Sequence, residues 1–291
     1  MSAARVAPRP RAPVAPPAAA FPQPLTGMRL SLRAVRIVWH RDVLRLLGEP
    51  VRIVTALLQP LMFLIALGAG LGAVTGLVSG VPYRTFVYAG ALVMPVVVTS
   101  VTSAASIVQD RELGFLREML VSPVSRTAIV MGKVLGGMSV ALLQGTVVLA
   151  LAGVAGVPYA PWTLLRLFGC MAVLAFTFSS FAVLVAGRMQ SPLSYTGLTQ
   201  TIVQPLFFLS AALFPLHGLP GWLTVLTRLD PLTYAVDPIR RTVLEAVGAG
   251  AHAQPVTWAG TPVPVWLELL LLGALGAGML WGAVRTFDRG A

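Results

Sequence analysis

Few side chains in this sequence could do chemistry, and the densest set sits in one run between two long apolar stretches: Asp110-Arg-Glu-Leu-Gly-Phe-Leu-Arg-Glu-Met-Leu-Val-Ser-Pro-Val-Ser-Arg126. At helical spacing Leu113, Phe115, Leu116, Met119 and Leu120 fall on one arc. Asp110, Arg111, Arg117 and Glu118 fall on the other, with Glu112 on the apolar side. The chemistry such a helix offers is recognition: it lies along a membrane surface or docks into a partner's groove. A solvated loop with a chance pattern is the plainer alternative.

Catalytic constellations are missing from the pattern. A phosphate-binding loop needs Gly-x-x-x-x-Gly-Lys-Ser/Thr. The single lysine, Lys133, has neither the upstream glycine nor the following hydroxyl. His40, His217 and His252 are scattered and lack carboxylates at metal-ligand spacing, and Cys170 is the single cysteine, so neither a metal centre nor an intrachain disulfide is predicted. One carboxylate, Glu268, falls just inside an apolar stretch. It is a functional candidate by its place, or a structural residue reaching water or pairing with Arg240 or Arg241. Polar stripes are more suggestive. Thr99, Thr102, Ser103 and Ser106 share one helical face, and Thr196, Gln200 and Gln204 share another. They could line a translocation path or bond between helices. Gly68 with Gly72, and Gly132 with Gly136, suit close helix packing or a subunit interface.

The elements that must position these residues follow from composition. The 291-residue chain is 56% apolar and 11% charged, with a mean hydropathy of +0.82. Soluble domains carry about 25% charged residues, so this is an integral membrane protein. Apolar runs without period-2 alternation select helices over a barrel. Six spans are predicted, at about 53–74, 86–108, 129–153, 163–187, 195–214 and 263–284. Residues 1–28, rich in Pro, Ala and Arg, read as a disordered basic arm, and residues 29–291 as one transmembrane domain. Residues 30–47 read as an interfacial helix with Trp39 at headgroup depth and arginines snorkelling from the other side, stopped by Gly48 and Pro50. Placing both termini in the cytoplasm leaves Arg84, Arg166, Arg228, Arg240 and Arg241 outside and every other basic residue inside. The net charge of +11 then marks contact with anionic headgroups rather than nucleic acid. Residues 215–262 hold two short apolar helices, the second with Asp230 and Asp237 each set before a proline as helix starts. They are too short to span and imply an outer re-entrant hairpin.

With this layout the chain resembles the membrane subunit of an ABC type-2 exporter, in the drug-resistance (daunorubicin-type) branch. The residues that carry the resemblance are Glu49-Pro50 with Gln59-Pro60-Leu61, the run from Arg111 to Arg126 followed by Gly132-Lys133, and Phe214-Pro-Leu-His-Gly-Leu-Pro-Gly-Trp-Leu with Asp230-Pro-Leu-Thr-Tyr-Ala-Val-Asp-Pro-Ile-Arg240. It covers roughly residues 30–285. Asp230 departs from the pattern, which usually has Asn before Pro-Leu-Thr.

The resemblance implies an all-α membrane fold and a permease without its own ATPase site, so not an enzyme. Two copies of this chain would pair with two copies of a separate ATP-binding subunit. ATP and Mg would sit on that partner, with no cofactor on this chain. Arg111, Glu112, Phe115, Leu116, Arg117 and Met119 would belong to the helix that couples to the ATPase, and Arg33, Arg36, Trp39 and Arg41 to a connecting helix beside it. The path would run between the second and fifth spans of the two subunits, along the polar stripes above. Pro220, Trp222, Asp230 and Tyr234 would form an outer gate. The expected activity is export of amphipathic small molecules, antibiotics or drugs among them, across a bacterial plasma membrane. Export of a lipid-linked saccharide or envelope precursor is a second reading. A stand-alone proton-coupled carrier or integral-membrane enzyme is a third, of another class.

Overall fold

A computed structural model describes residues 35–41, 43–44, 48, 58, 60–113, 126–216, 218–258 and 260–289. The first described element is α1 (residues 35–41). The Gly48 N–H donates to the Leu44 carbonyl, four residues back, at 3.0 Å. The apolar run then gives α2 (Pro60–Val74), of which Phe63–Leu71 is wound in π geometry. Gly68 lets it approach the next long helix closely, since a Cβ there would lie 2.9 Å from the Arg84 Cβ.

Leu77–Val78 (β1) and Val81–Pro82 (β2) pair antiparallel around Ser79-Gly80. Both loop residues have positive φ, 51° and 73°, the geometry that matches a two-residue turn to strand twist. The chain enters α3 (Tyr83–Ser103), which continues after a joint at Ala104 into α4 (Ala105–Glu112). Next come α5 (Arg126–Leu149) and α6 (Pro161–Ala186). Helix α7 (Pro192–Leu209) opens with Pro192 in its first turn and the Ser191 hydroxyl as its cap, a start signal legible in the sequence. Two shorter helices, α8 (Gly221–Leu229) and α9 (Thr233–Ala246), precede a second small hairpin of β3 (Thr257–Trp258) and β4 (Thr261–Pro262). Helix α10 (Val265–Arg289) closes the chain.

Helix α3 is the centre of the bundle. Seventeen of its residues are buried, and α2, α5, α6 and α9 pack around it. Tyr88 donates from the second turn of α3 to the carbonyls of Val148 and Leu149 at 3.3 and 3.2 Å. These are the last carbonyls of α5, and they also accept from the Leu151 and Ala152 N–H groups of the following turn at 3.0 Å. Helix α10 lies along α6, where Gly276 would place a Cβ 2.9 Å from the Thr177 Cα. The Thr177 hydroxyl crosses to the Leu272 carbonyl at 2.9 Å, so small residues and a threonine join these helices without a large apolar seam.

Among the described residues four helices are long and apolar enough to cross a membrane: Tyr83–Glu112, Arg126–Leu149, Pro161–Ala186 and Val265–Phe287. They correspond to the second, third, fourth and last predicted spans. The described part of the first predicted span is the shorter α2. The fifth is α7, whose 18 residues include Thr and Gln and do not join that set. The fold is therefore an all-helical membrane bundle with two minor hairpins. One local expectation fails. Asp237 does not start a helix but lies inside α9, which tolerates Pro238 in its interior. The Asp237 carboxylate is taken by other partners: it accepts from the Val256 N–H at 2.9 Å and from Arg241.

Candidate functional site

The charged run begins as the end of a membrane helix. At the α3–α4 joint three hydroxyls bond back to the carbonyl three residues earlier, Thr102 to Thr99, Ser103 to Ser100 and, across the joint, Ser106 to Ser103, at 3.4, 2.8 and 3.0 Å. Such side-chain bonds compete with the helix ladder, and the break at Ala104 lies among them. Beyond it α4 carries Asp110, Arg111 and Glu112 out of the bundle.

Two of these three are anchored. Asp110 Oδ2 accepts from Arg41 Nη2 at 3.1 Å and from Lys133 Nζ at 3.4 Å. Lys133 Nζ also donates to Ser106 Oγ at 2.9 Å, and its side chain is only 5% exposed. A lysine that deep needs a carboxylate and a hydroxyl close by. Arg111 donates to the Met189 carbonyl at 2.6 Å and the Gly187 carbonyl at 3.0 Å. These follow the last turn of α6, where carbonyls lack helical partners and the dipole favours a cation. Arg126, which begins α5, donates to the Phe287 carbonyl near the end of α10 at 2.9 Å. Glu112 is exposed.

Helix α1 completes the assembly. Val38 is buried against Gly132, where a Cβ would sit 2.9 Å from its own Cβ. Trp39 Nε1 donates to Ser139 Oγ at 2.8 Å. Trp39 is thus a contact between α1 and α5, where headgroup depth alone was expected. Arg36 is exposed. Phe115, Leu116, Arg117 and Met119 of the expected coupling helix, and Arg33 of the connecting helix, lie outside the described residues.

The two polar stripes are held differently. Ser106 is bonded to Lys133, and Ser103 Oγ lies 2.5 Å from where a Cβ on Gly137 would be, so this end of the first stripe faces α5. Thr99 is buried and Thr102 half-buried. On α7 the buried face is Tyr195, Thr199, Val203 and Phe207, and Tyr195 donates to the Val101 carbonyl of α3 at 2.6 Å. Thr196 is exposed, while Gln200 and Gln204 are half-buried at the edge of that contact. Within one chain, then, α7 meets α3 through tyrosine, and the second stripe runs beside the contact.

At the opposite end of the bundle Arg241 bridges two carboxylates, Glu268 Oε1 at 2.9 Å and Asp237. It also donates to the Val263 carbonyl at 2.9 Å. Glu268 is fully buried. The expected pairing with Arg241 is present, whereas Arg240 turns to the Ala211 carbonyl and stacks 4.2 Å over the Phe86 ring. Of the expected gate residues, Pro220 caps α8 and Trp222 is exposed. Tyr234 donates to the Arg228 carbonyl at 2.8 Å and accepts from Trp258 Nε1 at 3.1 Å. Asp230 is buried between α8 and α9, with Oδ1 accepting from the Leu232 N–H at 2.9 Å. Burial raises its carboxyl from 3.8 to about 7, against the lowering effect of that N–H.

Residues 33–244 match the family model described as ABC-2 type transporter. This chain belongs to the ABC-2 type transporter family. Among its curated relatives, Nodulation protein J of Rhizobium meliloti (strain 1021) is 31% identical over 81% of this chain and 91% of its own length. Nodulation protein J of Rhizobium leguminosarum bv. trifolii is 33% identical over 72% of this chain and 78% of its own length. The ycf38 transport permease of Cyanophora paradoxa is 29% identical over 70% of this chain and 72% of its own length. As an ABC-2 permease, the chain is a membrane transport subunit, and membership implies an ATP-binding partner subunit.

The anchors of this permease were the part that sequence reasoning missed. Lys133 was read as a failed phosphate loop and as part of the family resemblance, not as an anchor, yet a lone lysine opening a membrane helix must have a buried acceptor. That signal points to Asp110. Arg111 and Arg126 carried no comparable signal, because their partners are main-chain carbonyls 76 and 161 residues away.

Proposed function

We propose that this ABC-2 permease is the membrane half of an ATP-driven exporter of amphipathic small molecules, energised by a separate ATP-binding subunit that carries the ATP and Mg. The observation that carries the reading is the anchoring of α4. One eight-residue helix is joined through Asp110 and Arg111 to α1, α5 and α6, and its exposed Glu112 leads into the charged run. A force applied there reaches three elements at once. That is what a lever between a soluble motor and a membrane bundle requires, since packed elements move as bodies.

In this proposal the chain works as a homodimer with two ATP-binding subunits in a bacterial plasma membrane, both termini in the cytoplasm. Six spans and an outer re-entrant pair, α8 and α9, make up the domain. The residues from Arg111 through Met119 dock on the ATPase, and α1 supports them. The half-covered edge of α7 with Thr196, Gln200 and Gln204, together with Thr99 and Thr102 of α3, supports a path completed by the second copy. Antibiotics or other drugs fit the substrate class.

The test is reconstitution of the permease with the ATPase subunit it co-purifies with. Glu112→Arg is expected to abolish transport and permease-dependent stimulation of ATP hydrolysis while leaving the bundle's thermal stability unchanged, since Glu112 is exposed. Transport and stimulation that survive the substitution would overturn the assignment.

A further inference from the structure

We propose that the cavity behind α8 is a binding site for the phosphate-bearing headgroup of an amphiphile. Helix α8 is amphipathic in an unusual sense. Trp222, Val225, Leu226 and Leu229 form its exposed side. Thr224, Thr227 and Arg228, at i, i+3 and i+4, line a cavity of about 330 Å³ between α8 and the segment 253–257. In a membrane protein this arrangement puts lipid against the apolar side and water or a polar ligand behind it.

The cavity is built for an anion. No carboxylate lines it, and Arg228 supplies a guanidinium whose Nη2 donates to the Thr257 hydroxyl at 3.2 Å. Among the described residues Arg228 forms no ion pair. Thr227 is 1% exposed, and its hydroxyl has no hydrogen-bond partner. A buried hydroxyl left unpaired costs about 1–3 kcal/mol, so an acceptor is expected opposite it. The Thr224 hydroxyl already donates to the Pro220 carbonyl at 3.3 Å, so the donors left for a phosphate are the Arg228 guanidinium, which can take its oxygens in pairs, and the Thr227 hydroxyl. The volume exceeds a bare phosphate and admits a glycerol or sugar unit beside it. Leu216, Leu219, Pro255 and Val256 give the remaining wall an apolar surface. The exposed ridge of α8 offers an acyl chain a track next to the cavity. The inference depends on neither the direction of transport nor the ATPase.

The experiment uses the full-length permease in detergent, with short-chain phosphatidylglycerol, short-chain phosphatidylcholine, glycerol 3-phosphate and inorganic phosphate as probes. Binding is read by native mass spectrometry as ligand-bound fraction. Phosphatidylglycerol is expected to bind at least tenfold more tightly than phosphatidylcholine. Thr227→Val, which removes no existing bond, is expected to weaken phosphatidylglycerol about fivefold without lowering thermal stability, and Arg228→Gln at least tenfold. Equal binding of the two lipids, or unchanged binding in both variants, overturns the site. Glycerol 3-phosphate or inorganic phosphate binding as tightly as phosphatidylglycerol overturns the amphiphile and leaves a site for a free phosphate. ATPase stimulation is not part of the readout, so loss of the exporter reading would leave this result standing.

Discussion

Asp230 makes a proton-linked prediction that can be worked through. Its side chain is 3% exposed, and Oδ2 has no hydrogen-bond partner. Because burial raises the folded carboxyl to about 7 from 3.8, the folded state holds a proton that the unfolded state releases. Stability attributable to this group is therefore greatest below about pH 4, declines as pH rises, and levels off above about 7. At about 1.36 kcal/mol per pH unit, the loss between those limits is on the order of 4 kcal/mol. Asn at this position keeps the acceptor for the Leu232 N–H and never ionises. Asp230→Asn should thus be several kcal/mol more stable than the parent at pH 8 and close to it at pH 4. The assay is thermal unfolding of both proteins in the same detergent, followed by tryptophan fluorescence at a fixed scan rate across that range. A stability difference that stays constant from pH 4 to 8 would refute the linkage, and with it the claim that an ionised Asp230 is poorly solvated in the fold.

Three further outcomes are expected. Glu268→Gln should destabilise the bundle by about 1–3 kcal/mol, because Arg241 keeps Asp237 but loses the charge of its second buried carboxylate. A double-mutant cycle with Arg241→Met should recover part of that loss, and additive losses would place Glu268's role elsewhere. Gly276→Val should lower stability by about 1–3 kcal/mol through overpacking against Thr177, measured by the same unfolding assay, whereas Gly278→Val, with open space around its Cβ position, should not. Arg111→Ala should cost about 1.5–3 kcal/mol by leaving the Gly187 and Met189 carbonyls without their charged donor, with Arg111→Lys recovering only part because one ammonium replaces a two-pronged donor.

What the sequence made legible was governed by local rules. Hydropathy and length located the four long helices, while the fifth span was set at about 195–214 because the Ser191-Pro192 start of α7 (Pro192–Leu209) was not used. The Glu268–Arg241 pair was foreseeable because a carboxylate in an apolar stretch must find a cation. Position in the chain misled at Asp237, since an Asp-Pro pair normally opens a helix. Here Val256 and Arg241, brought in by distant segments, hold the carboxylate inside one. The polar stripes were found as stripes, yet helical spacing alone does not say which neighbour a face meets. Ser106 faces Lys133 for reasons that appear only when α4 and α5 are packed together.

The two kinds of anchor on α4 differ in how readily they could be transplanted. Arg111 addresses main-chain carbonyls, which every sequence supplies, so a graft carrying it would find acceptors on any recipient whose helix ends in the same place. Asp110 addresses the side chains of Arg41, Lys133 and, through the lysine, Ser106, and these must be inherited together. A chimaera built to exchange motor specificity between relatives should therefore move residues 105–133 as a single cassette and bring Arg41 with it. Cut within that stretch, the lever would arrive without its fulcrum.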